Sequence, residues 1–122
     1  MGLLDSFLGK SKDGKQQAKV NWIPLNNISQ LDDVVEASKT NKVIVFKHST
    51  RCSISASVLN KFEKKIGEDY QLYFLDLISN RDVSNAVAEK FNIVHESPQL
   101  LLIENGEVTQ YDSHYGILEL NL

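Results

Sequence analysis

Val43-Ile44-Val45-Phe46-Lys47-His48-Ser49-Thr50-Arg51-Cys52-Ser53-Ile54-Ser55 passes from one kind of backbone into another. Its first four residues are apolar and mostly β-branched, the pattern of a strand buried on both faces. From Ile54 onward apolar residues recur at Val58, Leu59, Phe62 and Ile66, the spacing of a helix face, and Gly67 marks the C-terminal end of that helix. Between strand and helix stands Cys52, the one cysteine of the chain.

Upstream, Trp22–Leu25 reads as a short strand ending near Pro24. Ile28, Leu31, Val34, Val35 and Ala37 form a helical stripe opened by Asn27 or Ser29. Downstream, Tyr70–Leu77 reads as a strand, and Val83, Val87, Ala88 and Phe91 mark a helix opened by Asn80 or Asp82. Gln99–Ile103 and Val108–Tyr111 are strands joined by Asn105-Gly106, a strong hairpin signal. Ser113–Leu120 is expected to close the chain as a short helix.

The resulting order is β-α-β-α-β-α-β-β-α. Helical crossovers make the early strands parallel, and the Asn-Gly turn makes the last pair antiparallel. The fold class is therefore α/β: a central mixed sheet flanked by helices, the thioredoxin-like arrangement. Residues 20–122 are expected to form a single domain of this kind. Residues 1–19 differ: Leu3, Leu4, Phe7 and Leu8 suggest a short amphipathic turn, and a Lys-, Gly- and Gln-rich stretch suggests a flexible tether.

Composition narrows the function. Hydrophobic residues at 42% and charged residues at 24% suit a chain that builds its own core. A formal charge of −3 gives no electrostatic footprint for nucleic acid. No apolar run approaches the roughly 18–20 residues needed to span a membrane, and no secretory signal opens the chain. A single cysteine rules out an intramolecular disulfide and a cysteine-cluster zinc site, and the three histidines lack a local metal-ligand spacing. No metal is expected.

Cys52 falls beyond the carboxyl end of a buried strand, the usual place for an active site in such sheets. It also falls at a helix start, where free backbone N–H groups and the dipole favour an anion. A thiolate is such an anion and is the nucleophile of disulfide exchange. Lys47, Arg51 and His48 are expected to add positive charge. The spacing Cys52-Ser53-Ile54-Ser55 puts serine where a dithiol enzyme carries its resolving cysteine. Ser55 is expected to donate a hydrogen bond to the thiolate, and the chemistry must pass through a mixed disulfide with an outside sulfur.

A second motif, His95-Glu96-Ser97-Pro98-Gln99, precedes the Leu-rich strand. In a thioredoxin-like fold its proline is expected to be cis, with the backbone of Ser97 facing Cys52 and an extended substrate.

Taken together, Thr50–Ser55, His95–Gln99 and the strand ending in Asn105-Gly106 resemble the bacillithiol system redox-active protein (YtxJ) family, monothiol bacilliredoxin-like proteins. The resemblance covers Trp22–Leu120. It implies a Gram-positive, bacillithiol-using source, a cytoplasmic location and a role in removing bacillithiol from proteins after oxidative stress. On this chain it implies that Cys52 attacks the protein–bacillithiol disulfide, with Ser97 and Pro98 orienting it. Lys47, Arg51 and the helix start would meet bacillithiol's malate carboxylates. Bacillithiol would serve as thiol co-substrate rather than bound cofactor, and S-bacillithiolated proteins and other bacilliredoxins would be the partners. Two other readings are a non-catalytic adaptor or thiol trap, and an iron–sulfur carrier. The second is disfavoured because Ser53-Ile54 stands where monothiol glutaredoxins usually carry Gly-Phe.

Overall fold

The computed structural model describes residues 20–122. The amphipathic turn and tether expected over 1–19 lie outside the described residues.

Five strands and three α-helices alternate among the described residues: β1 (Trp22–Pro24), α1 (Gln30–Ala37), β2 (Lys42–His48), α2 (Ser53–Lys65), β3 (Tyr70–Asp76), α3 (Arg81–Phe91), β4 (Gln99–Glu104) and β5 (Glu107–Ser113). The strands form one sheet in the order β1-β3-β2-β4-β5. β1 and β2 each run parallel to β3, whereas β4 runs antiparallel to both β2 and β5. This is the mixed α/β sheet that the element order demanded.

β2 occupies the middle of the sheet, and every residue of Val43–His48 is buried. Strand alternation divides its side chains between two cores. Val43 and Val45 pack with Tyr73, Leu75, Leu101 and Ile103 beneath α1 and α3. Ile44 and Phe46 pack with Leu72, Leu100, Leu102 and the inward face of α2, Val58 and Phe62. Trp22 lies against this second core, its ring centroid 6.0 Å from Phe46 and 5.5 Å from Phe74.

The hairpin turn is as expected: Asn105 and Gly106 have φ of 53° and 80°, as a two-residue primed turn requires. Ser38 anchors it, accepting hydrogen bonds from Asn105 N–H at its carbonyl (2.8 Å) and from Gly106 N–H at its hydroxyl (2.8 Å). Between Leu102 and Ile103 the pairing of β4 with β5 shifts by a bulge.

Three local expectations change. The closing element is a 3-10 helix, His114–Glu119, rather than an α-helix. β5 is longer than expected and extends to Ser113. At the start of α1, Ser29 is the N-cap but makes no side-chain cap; instead the Asn27 side chain accepts from both the amide and the hydroxyl of Ser29, each at 2.9 Å. An Asx turn thus delivers the chain into the helix.

Candidate functional site

Cys52 is the N-cap residue of α2, with extended backbone (φ −115°, ψ 117°), and it is half-buried. A tight turn leads to it from β2: Cys52 N–H donates to the Ser49 carbonyl at 3.2 Å. The Cys52 carbonyl then accepts the first bond of the helix, from Ala56 N–H at 3.2 Å. Its neighbours Arg51, Ser53 and Ile54 are exposed. Cys52 therefore stands at the positive end of a 13-residue helix, among exposed neighbours.

Ser55 does not act on Cys52 in the expected way. It is fully buried, and its hydroxyl accepts from Ser49 N–H at 3.1 Å and lies 2.8 Å from Nδ1 of His48. Among the described residues no hydrogen bond joins Ser55 to Cys52. Ser55 instead fastens the turn that carries Cys52 to the last residue of β2. The signal was in the helix spacing. Ser55, Val58 and Phe62 share one inward face, and Ile54, which opened the apolar pattern, is exposed.

His48 is buried beside Phe74, ring centroids 5.4 Å apart. Burial pushes its pKa below the usual histidine value, against the opposing pull of the Asp76 and Glu63 carboxylates. At neutral pH it is an uncharged hydrogen-bonding ring, not the cation expected beside the cysteine. The Leu77 amide donates to the His48 carbonyl at 3.0 Å, which ties the ends of β2 and β3 together.

Lys47 points the other way. Its side chain is fully buried on the α1/α3 side of the sheet, with Nζ 3.2 Å from the Ser84 carbonyl and 3.3 Å from Nδ1 of His95. Burial, with Arg81 adding to it, pushes its pKa down to about 8. This placement corrects the expectation that Lys47 receives a carboxylate of an incoming thiol: the ammonium faces the interior. Arg51 alone of the three expected cations is exposed next to Cys52, its amide donating to the Ser49 hydroxyl at 3.4 Å.

The Ser97-Pro98 peptide bond is cis, and Pro98 is buried. Its carbonyl accepts from His114 N–H at 2.9 Å, so the start of the 3-10 helix braces the loop. β4 runs antiparallel to β2 with Gln99 opposite Lys47, so Pro98 lies at the level of His48. Ser97-Pro98 and the Cys52 turn therefore share one end of the sheet. Two side-chain atoms there, Ser97 Oγ and Gln99 Oε1, are buried without a partner. Sequence reasoning passed over Ser84 of α3 and the inward contacts of His48 and His95; the burial of Lys47 and His48 follows from carrying the strand alternation of β2 to its end.

Among the described residues no cluster of three or more His, Cys, Asp and Glu side chains is arranged to hold a metal, and no helix is long and apolar enough to cross a membrane.

Solved structures place this geometry among oxidoreductases. A protein described as a candidate oxidoreductase with a thioredoxin fold shares 37% identity and a TM-score of 0.68, over 80% of this chain and 89% of its own. Thioredoxin from Malassezia sympodialis superposes with a TM-score of 0.64 at 15% identity, over 81% of this chain and 85% of its own. Thioredoxin from Schistosoma mansoni gives 0.62 at 20%, over 81% and 88%. The last two share the fold alone. Residues 23–122 match the family model described as monothiol bacilliredoxin BrxC, a span that takes in both the Cys52 turn and the Ser97-Pro98 loop. With its one thiol at a helix start and a buried serine three residues on, the chain belongs to the monothiol bacilliredoxin family.

Proposed function

We propose that this protein removes bacillithiol from S-bacillithiolated proteins by single-thiol exchange at Cys52, in the cytoplasm. One observation carries the reading: a half-buried cysteine stands at the N-cap position of α2, while the position a resolving cysteine would hold is a buried serine engaged with His48.

The Cys52 thiolate attacks the bacillithiol sulfur of a protein mixed disulfide. A Cys52–bacillithiol disulfide forms, the protein–sulfur bond to bacillithiol breaks, and the protein thiolate leaves and takes a proton from water. With no second thiol in the chain, resolution is external. A second bacillithiol thiolate attacks the mixed disulfide and leaves as bacillithiol disulfide, and Cys52 is regenerated. The backbone of Ser97 offers hydrogen-bonding groups to an extended segment of the substrate protein, and the exposed Arg51 offers a charge to bacillithiol's carboxylates.

The test follows the bacillithiol group by intact mass after mixing a bacillithiolated protein with this chain. Transfer onto the wild type, and none onto Cys52→Ala, supports the reading. An accessible Cys52 thiol that accepts no bacillithiol refutes it and leaves the adaptor reading.

A further inference from the structure

A lysine with no exposed surface in a central strand calls for a structural explanation, because burying an ammonium group is costly and a methionine would fill similar volume. The bonds of Lys47 show where it acts. Its Nζ and the Ser84 hydroxyl both approach Nδ1 of His95, at 3.3 and 3.0 Å. An ammonium group only donates, so Nδ1 must be the lone-pair nitrogen and the His95 ring neutral. Burial, with Lys47 and Arg81 adding to it and Glu96 opposing, lowers the His95 pKa and agrees with that state. One residue earlier, the Val94 carbonyl accepts from Gln99 Nε2 at 2.9 Å. The segment that leaves α3 at Asn92, a left-handed residue with φ of 58°, is therefore held at Val94 and His95 before it reaches Ser97-Pro98.

We infer that Lys47 and His95 are a positioning pair: they hold the 92–98 segment so that the Ser97 backbone is presented in register to the disulfide-bearing segment of a substrate protein. The inference rests on the exchange reading above and deepens it. Lys47 touches no reacting atom in this scheme. β2 thereby serves both halves of the site, because its last two residues point to opposite faces: His48 fastens the turn that carries the nucleophile, and Lys47 fastens the loop that receives the substrate.

The pair separates docking from attack. In Lys47→Met and His95→Ala the KM for a bacillithiolated protein is expected to rise about five- to tenfold, with kcat within about twofold. Alkylation of Cys52 by iodoacetamide, which needs no docking loop, is expected to stay within about twofold of wild type. Amide hydrogen exchange over residues 94–97 is expected to quicken in both variants. His95→Asn places an amide oxygen near the Nδ1 position and is expected to restore KM and exchange protection. A wild-type protein that transfers bacillithiol alongside variants of unchanged KM overturns the pairing alone. Alkylation slowed in step with transfer also overturns it, since the damage then lies at the Cys52 turn. A wild type that transfers nothing overturns the exchange reading itself.

Discussion

The Ser55 hydroxyl and Nδ1 of His48 are 2.8 Å apart, and that bond closes the turn between the central strand and the helix that Cys52 caps. With Ser49 N–H donating to the same oxygen at 3.1 Å, the hydroxyl hydrogen is free to go to His48. The direction is then Ser49 amide to Ser55 to His48, which requires Nδ1 of a neutral ring.

Ser55→Ala removes both bonds and leaves the Ser49 amide without its partner. It is expected to cost about 1–3 kcal/mol. Urea unfolding followed by fluorescence measures it, because Trp22 is the one tryptophan and packs on Phe46 and Phe74. A midpoint equal to wild type would show that the bond contributes nothing to the fold.

His48 links stability to acid. Its folded pKa lies below the usual 6.5, so as pH falls through that value the unfolded chain binds a proton that the folded chain resists. Stability is therefore full above pH 6.5 and declines below it. Replacing His48 with Asn, which keeps an acceptor for Ser55, is expected to flatten the decline between pH 7 and pH 5 in part; His95, lowered for the same reason, supplies the remainder. Urea midpoints across that range, wild type against variant, decide it.

Lys47 acts with the opposite charge and in an alkaline window. Its pKa is about 8 in the fold against 10.5 in the open chain, so both states are protonated at pH 7 and the cost of burying the charge is then fully present. Between pH 8 and 10.5 the folded chain binds fewer protons than the unfolded one, and stability rises with pH. Lys47→Met is expected to be more stable than wild type at pH 7, by about 1–3 kcal/mol. The two proteins should converge as pH approaches 10.5, a trend that a denaturant series at four or five pH values reads directly.

Arg51 is exposed, so its contribution is to encounter rather than to folding. Arg51→Ala is expected to leave the unfolding midpoint unchanged and to slow exchange with bacillithiol by about two- to fivefold at low salt. The difference should shrink with added salt. A rate ratio independent of ionic strength would remove the electrostatic role.

Gly106→Ala tests the hairpin. The added Cβ would meet Val35 Cγ1 at 3.5 Å, an ordinary contact, so the cost comes from the backbone at φ +80°. About 1–2 kcal/mol of destabilisation is expected, without loss of the Cys52 reaction.

The order of strands and helices was legible because each element announces itself by period and each boundary by a turn residue. Val43–Phe46 could only be a central strand, and Asn105-Gly106 only a hairpin. Cys52 was legible for the same reason, as the last residue before a helical stripe. Side-chain direction was read less well. Lys47 and His48 looked like cations beside a thiol because they precede it in sequence. The strand continues through both residues, and its period sends one to each core. Ser55 looked like a partner of Cys52 by helical spacing, yet it shares the inward face of Val58 and Phe62. The interior hydrogen bonds of His95 with Lys47 and Ser84 join three separate elements, and no local pattern carries that information.

The bulge between β4 and β5 has a bearing on association. β5 is an edge strand of seven residues, long enough to tempt another chain into pairing. Because Val108 pairs with Ile103 and Gln110 with Leu102, Thr109 is the extra residue, and the outward row of amides breaks step there. A foreign strand laid along β5 falls out of phase past Thr109, while Glu107 and Asp112 set a carboxylate near each end. The opposite margin, β1, is three residues long and ends in proline, so among the described residues neither border of the sheet offers a template for fibrous stacking.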